Sequence, residues 1–251
     1  MLDARTRYAE SARHYQQSRP SYPSALVDWV IDTTGCRPPA RIVDIGCGTG
    51  IATRLFVVRG FHTVGIDPSQ EMLAVARREE GRALYVGAQA AATALATGSI
   101  DLVVAAQCFH WFEIEPTLRE LHRILRPDGW CTAFWNLRAP TPVMDDYDRL
   151  IRRYSSEYGV LERQEAAPDV LRGADGIFAC QQAEFSNHQT LDRAGLLGRA
   201  YSSSCVKHGV TDKDGFEREL GALFDRRQRG GVIELRYRTV ALCWRLEDAN
   251  G

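Results

Sequence analysis

The residues of this chain best equipped for chemistry are two acids and three glycines held close together. Val43-Asp-Ile-Gly-Cys-Gly-Thr-Gly50 sets glycines at 46, 48 and 50 directly after a short apolar run and ahead of an amphipathic stretch. Glycines there let the backbone turn sharply and let a ligand rest on main-chain N–H groups at a helix start. The next apolar run ends in an acid, Gly65-Ile-Asp67, followed by Pro68. A carboxylate at the end of the second strand of an open α/β sheet is placed to accept hydrogen bonds from a ribose hydroxyl pair. A plain turn residue is the other reading of Asp67.

Two nucleotide cofactors use such a layout. A dinucleotide calls for G-x-G-x-x-G, with its pyrophosphate on the helix N-terminus. Here the spacing is G-x-G-x-G, position 51 is Ile, and Asp44 lies inside the motif. A diphosphate beside that acid would be repelled, whereas a cationic ligand would be attracted. The pattern therefore favours S-adenosylmethionine, an amino acid carrying a sulfonium, over NAD. Asp44 either faces that ligand or caps the following turn.

These residues need elements to hold them. Short apolar runs at 41–45, 62–66, 83–86, 101–106 and 130–135 read as strands buried on both faces, and 49–59, 69–80 and 113–126 between them read as helices. Ser69 after Pro68 is an N-cap, and Arg126-Pro-Asp-Gly129 stops a helix and turns the chain. Strands alternating with helices predict an α/β fold with a doubly wound, mostly parallel sheet. Residues 1–40 form an N-terminal entrance segment with a helix ending near 33. Residues 41–139 form the cofactor-binding core. Residues 140–180, with a helical stretch at 145–158, read as a lid over the sheet's carboxyl edge. Residues 181–251 complete the sheet, with strands at 184–188 and 233–244 and helices at 192–199 and 212–227. No linker divides them, so a single domain is expected.

Composition narrows the class. With 251 residues, 45% hydrophobic, 25% charged and a net charge of −1, the chain is neither disordered nor a strongly basic nucleic-acid binder. Lys207 and Lys213 are the only lysines among 31 basic residues, a bias that a GC-rich coding sequence produces. Seven dispersed cysteines with no C-x-x-C pair argue against a disulfide framework and against a zinc site, so no metal is expected. The longest apolar run, 102–106, falls far short of the ~20 residues that span a bilayer. The N-terminus carries Asp3, Arg5, Arg7, Glu10 and Arg13 rather than a signal-peptide core. A cytoplasmic protein without membrane or nucleic-acid partners is the expectation. Nothing in the chain selects an oligomeric state.

Asp44-Ile-Gly-Cys-Gly-Thr-Gly50 and Gly65-Ile-Asp67 resemble the first two motifs of class I S-adenosylmethionine-dependent methyltransferases. Asp101-Leu-Val-Val-Ala-Ala-Gln-Cys-Phe-His-Trp-Phe112 is similar to the fourth-strand motif of a small-molecule branch that includes the trans-aconitate-type and toxoflavin-type enzymes. Tyr15…Arg19-Pro-Ser-Tyr-Pro23, Leu125-Arg-Pro-Asp-Gly129 and the tail (Phe216, Leu220, Leu223-Phe224-Asp225, Tyr237-Arg-Thr239) match the same branch. The resemblance implies a seven-stranded sheet with an antiparallel last strand and a helical lid.

It also implies roles. Gly46, Cys47, Gly48 and Gly50 would line the methionine and ribose of S-adenosylmethionine, with Asp44 near the amino group. Asp67 and Pro68 would hold the ribose, Met72 would lie on the adenine, and Gln89-Ala90 would address its edge. Relatives often carry an acid in that last stretch, where this chain reads Ala88-Gln-Ala-Ala91. Gln107 would touch the methionine portion. Tyr15, Arg19 and Tyr22 would close over the cofactor, Arg19 on its carboxylate. His110, Trp111 and Phe112 follow the strand end where a methyl acceptor must lie; contact with the acceptor, packing against the lid, and general-base duty for His110 all remain open. Trp135 and Asn136 either line the acceptor pocket or end their strand, and Tyr201 belongs to an acceptor loop or to a Ser-rich turn. The implied reaction is methyl transfer to a small-molecule acceptor, a secondary metabolite, leaving S-adenosylhomocysteine. The alternative is transfer or cyclisation of the aminocarboxypropyl group, releasing methylthioadenosine.

Overall fold

The computed structural model describes Gln16, residues 18–79 and residues 81–246. Seven strands form one sheet in the order β3-β2-β1-β4-β5-β7-β6. They are β1 (Arg41–Ile45), β2 (His62–Ile66), β3 (Leu84–Val86), β4 (Ile100–Ala106), β5 (Leu125–Arg138), β6 (Ile177–Leu191) and β7 (Ile233–Leu246). The pairs β1–β2, β1–β4, β2–β3 and β4–β5 are parallel. Only β7 runs against its neighbours, between β5 and β6. The strand order reverses beside β1, so the crevice between the carboxyl ends of β1 and β4 is where such sheets bind ligands.

Period-two side-chain alternation gives the sheet two apolar faces. Val43, Ile45, Val103, Ala105, Trp135 and Trp244 point to one face, where Leu121 and Ile124 of the helix Ile114–Ile124 pack on them. Ile42, Leu102, Val104 and Phe134 point to the other, covered by α1 (Ser24–Thr34) through Leu26, Val27 and Val30 and by α2 (Ile51–Val57) through Ala52 and Phe56. The helices that follow β2 and β4 are α3 (Gln70–Glu79) and α4 (Ile114–Ile124), within a residue or two of the expected spans. The predicted turn at 126–129 is present as a loop within β5: Ile100 pairs with Leu125 but Leu102 with Trp130.

A helical layer lies beyond the sheet's carboxyl edge, and it is larger than expected. It comprises α5 (Pro142–Tyr154), α6 (Gly159–Arg172), α7 (Arg193–Tyr201), α8 (Ser204–Gly209) and α9 (Lys213–Arg227). Thr141, Asp192 and Asp212 start α5, α7 and α9 by accepting from the backbone N–H of Met144, Gly195 and Gly215. Met144, Tyr147, Ile151, Leu196, Phe216 and Leu220 share one core with Ile233, Leu235 and Tyr237 of β7. Residues 193–227, assigned from sequence to completion of the sheet, therefore pack with 142–161 as one body. The span read as ending at 180 gives way to β6 at Ile177. Among the described residues no helix is long and apolar enough to cross a membrane.

Candidate active site

The glycine loop turns between β1 and α2 with Gly46 at φ 66° and Gly48 at φ 55°, the left-handed region that L side chains avoid. A Cβ on Gly46 would stand 2.9 Å from Cys108 Sγ and 3.1 Å from the Phe112 ring, so the bare backbone is also a packing requirement. Around this loop two solvent-open lobes of about 510 and 590 Å³, open solvent included, are both walled by Gly46, Gly48, Ala106 and Gln107.

The second lobe runs over Asp67, Pro68, Ser69 and Met72 and is closed by Trp111 and Phe112. Asp67 Oδ2 accepts from Gly48 N–H (2.9 Å) and Oδ1 from Ser69 N–H (2.8 Å), which fixes the carboxylate at the loop. Burial raises its pKa, and those two N–H groups pull it back toward the charged form. Each oxygen retains a lone pair for a hydroxyl donor.

The first lobe is walled by Arg19, Tyr22, Cys47, Thr49, Asn136 and Arg199 besides the shared residues. Gln107 sits between the lobes at φ 61°, an uncommon conformation for a residue with a side chain. Its Oε1 accepts from Asn136 N–H (2.8 Å), which fixes the side chain at the junction. Asn136 is itself tied down: its Nδ2 donates to the Ser21 carbonyl (3.2 Å), and its Oδ1 accepts from Thr239 Oγ1 (2.6 Å) and Asn187 Nδ2 (3.0 Å). Asn187 and Gln189 also donate to the Ser21 and Ser18 carbonyls, so residues 18–22 form a strap across β5 and β6.

The structure thus brings Arg19, Tyr22, Gly46, Cys47, Gly48 and Gln107 to one cavity with Asp67, Pro68 and Met72. Trp111, Phe112 and Asn136 join them. Several expected residues are elsewhere. Asp44 lies fully buried under the loop, its Oδ2 on Thr53 Oγ1 (2.6 Å), as a turn-and-helix anchor rather than a lobe wall. Burial pushes its pKa up to about 7. Gly50 caps α2 with its backbone, and a Cβ there would strike the Tyr85 hydroxyl at 2.7 Å. Gln89 and Ala90 sit in a turn closed by Ala92 N–H on the Gln89 carbonyl (3.0 Å), outside both lobes. Trp135 points into the sheet core with no exposure, since its neighbour Asn136 takes the cavity face. Tyr201 donates to Glu217 Oε1 (2.8 Å) on the helical layer's surface side. Tyr15 lies outside the described residues.

His110 stands in a 3-10 turn (Phe109–Trp111), its ring centroid 5.1 Å from that of Trp111 and outside both lobe walls. Burial, and after it Arg163 and Arg19, lower its pKa to about 3. A lowered pKa favours the neutral imidazole, and the ring packs beside Trp111. Sequence reasoning missed Arg199. Its signal was present: Leu196, Arg199 and Ala200 share one face of α7, and all three are buried.

Comparisons with known proteins identify the family. The family described as methyltransferase domain matches residues 43–133, the span from β1 into β5 that carries the glycine loop and Asp67. A malonyl-[acyl-carrier protein] O-methyltransferase of Enterobacter lignolyticus is 33% identical over 176 residues, 69% of each chain. This chain belongs to the class I S-adenosylmethionine-dependent methyltransferases. An uncharacterized methyltransferase-like protein of Schizosaccharomyces pombe is 32% identical to the methyltransferase over 158 residues, covering 62% of this chain and 61% of the relative's length. A structure of Anaeromyxobacter dehalogenans described as a type II methyltransferase has a TM-score of 0.67 at 23% identity, over 90% of the methyltransferase and 96% of that chain, a likeness of fold. The cofactor of the class fits the walls: Gly46 leaves room where a side chain would clash, and Asp67 offers a hydroxyl pair two lone pairs.

Proposed function

We propose that this methyltransferase alkylates a small-molecule acceptor, of the secondary-metabolite kind handled by the branch that Phe109-His-Trp-Phe112 resembles. The observation that carries the reading is the two-lobed cavity that meets at Gly46, Gly48 and Gln107. One lobe has the acid for a ribose, and the other has the donors for an amino-acid end and an acceptor. When bound, S-adenosylmethionine supplies an activated methyl group. The protein's part is alignment and exclusion of water, and alignment of this kind contributes roughly 7–11 kcal/mol of a barrier. Asp67 orients the ribose, Met72 and Phe112 give the base an apolar bed, and Gln107 places its amide at the lobe junction. Trp111 walls the second lobe, and Arg19, Pro20 and Tyr22 of the 18–22 strap wall the first. The Enterobacter relative's name specifies oxygen as that protein's acceptor atom.

Mass spectrometry of the nucleosides formed from S-adenosylmethionine tests the reading. S-adenosylhomocysteine that appears only with a small-molecule extract of the source cell supports it. Methylthioadenosine above an enzyme-free control means that the aminocarboxypropyl group moves, and the proposal falls.

A further inference from the structure

We propose that the outer edge of β6 pairs antiparallel with β6 of a second copy of this chain, centred on Ser186, so that two sheets join across a twofold axis. That edge lies outside both lobes, so the pairing stands apart from the acceptor chemistry.

Strand β6 ends the sheet, and among the described residues it has a strand neighbour on the β7 side alone. The register shows which of its backbone groups face outward. Ala139 N–H donates to the Arg236 carbonyl (3.0 Å), so Arg236 turns its backbone toward β5. In an antiparallel ladder alternate residues bond to opposite sides. Arg236 stands opposite His188 and Arg238 opposite Ser186, so His188, Ser186 and their alternates Gln182, Glu184 and Thr190 aim N–H and C=O away from β7. The His188 N–H accordingly donates to Asn187 Oδ1 (2.9 Å) and not to the ladder. The side chains of this outward set are all exposed, whereas Phe185, Asn187 and Gln189 between them are half-buried on the strap side.

An open edge of this length is a template for another strand, and folds that keep it single place lysine, proline or extra charge on it. Residues 181–191 hold no Pro, Lys or Arg, and Glu184 is their one acid. The bulge between Phe178 and Gln181, with Ala179 at φ 49°, ends the regular edge on one side, and Leu191 ends it on the other. Ser186 is the midpoint of that span. Pairing centred there sets Ser186 against its own copy, Glu184 against His188 and Gln182 against Thr190, each relation repeated across the axis as a twofold interface requires. Every outward residue then meets another outward residue. The charges agree with this register, since like charges directly opposed destabilise a strand pair. Glu184, already held by Arg238 Nη1 (2.9 Å), meets the imidazole of the second copy. A centre at Glu184 would oppose two carboxylates, and a centre at His188 would set Glu184 against Asp192 beyond the strand's end.

Sedimentation velocity of the full chain over a dilution series tests the pairing. Wild type should reach a particle of about twice 28.1 kDa at the concentrated end. Ser186→Lys places an ammonium on the axis against its own copy, and Ser186→Pro removes an N–H that β7 does not use. Both should sediment as monomers while binding S-adenosylhomocysteine within about twofold of wild type, which shows that they fold. Where Ser186→Pro does not fold, Ser186→Lys decides. Register is read by cross-linking with oxidised glutathione, which is reduced to two thiols as a disulfide forms. Ser186→Cys should link to its own copy, because Cα atoms of a hydrogen-bonded antiparallel pair lie about 5.5 Å apart, within disulfide reach. Gln182→Cys should not, since its copy stands at the far end of the pairing, and wild type controls for the native cysteines. A monomeric wild type, a dimer that survives Ser186→Lys, particles larger than a dimer, or cross-linking at 182 in place of 186 overturns the proposal.

Discussion

Asp67 commits one lone pair on each oxygen to the backbone and keeps the other pair toward the cavity. Asp67→Asn removes the charge and turns an amide NH₂ onto one of the two N–H donors. A hydrogen bond to a charged group contributes about 1.5–3 kcal/mol. Calorimetry with S-adenosylhomocysteine should therefore show a dissociation constant about 10–100-fold weaker, and an unchanged one would remove the ribose assignment. His110 and Asp44 yield a second expectation, because burial moves their pKa values in opposite senses. Folded His110 resists protonation down to about pH 3 while its unfolded form takes a proton near 6.5, so this group's contribution to stability is present above 6.5 and lost on acidification. Folded Asp44, raised to about 7, binds its proton before the unfolded form does, so its contribution grows as pH falls from 7 toward 4. Arg163 and Arg19 face the histidine; Thr53, Asp67 and Arg54 face the acid. In urea titrations at pH 5 and pH 8, His110→Phe should shift the balance toward greater stability at pH 5 than wild type shows. Asp44→Asn should shift it the other way. The same slope in all three proteins would mean that neither group titrates differently on folding.

At the scale of elements, the glycine loop works because its turn leaves backbone where side chains would stand. Gly46→Ala meets two obstacles, a φ of 66° and Cys108 at 2.9 Å. The first costs about 1–2 kcal/mol and overpacking about 1–3 more. Melting should fall by several degrees, and S-adenosylhomocysteine affinity should drop beyond tenfold as the loop shifts from both lobes. Equal affinity in a protein of unchanged melting temperature would show that the loop has slack. This loop was legible in the sequence because its function depends on residue type at fixed spacing, and strand periodicity placed it correctly. The turn at 89–92 was not, since a resemblance assigns a register but not which way Gln89 faces. Trp135 and Asn136 were read together as pocket or strand end, and period two sends them to opposite faces. Helix α6 escaped detection because Pro168 lies within it and it packs on β5, β7 and the 109–111 turn. Tertiary contacts there outweigh local propensity. Arg199 was not legible as a wall residue because a charged residue amid 193–201 reads as solvent-facing, whereas it lies with Leu196 and Ala200 on the buried face of α7.

Across the whole molecule, three parts of the chain distant in sequence share one cavity. The strap at 18–22 is pinned to β5 and β6 by Asn136, Asn187 and Gln189, and to the end of α7 by Arg19 on Ser202. The helical layer is joined to β7 through Tyr237, which holds Arg199. A ligand in both lobes touches strap, loop and helical layer together, so its binding must stabilise the assembled state as a unit. At a ligand concentration of about 100 times the dissociation constant, linkage adds about 2.7 kcal/mol. In a domain of this size each kcal/mol raises the melting temperature by roughly 2–4 °C, so S-adenosylhomocysteine should raise it by roughly 5–11 °C. NAD at the same concentration should leave it unmoved, because the loop lacks the dinucleotide spacing and Asp44 stands beneath it. Replacing both Asn187 and Gln189 with Ala frees two of the strap's anchors while leaving the loop and Asp67 in place. That variant should keep the adenosine contacts yet lose a substantial part of the S-adenosylhomocysteine shift, since the strap's wall of the first lobe is no longer held. A shift equal to that of wild type would show that the nucleoside lobe carries the binding alone and that the strap serves the acceptor side.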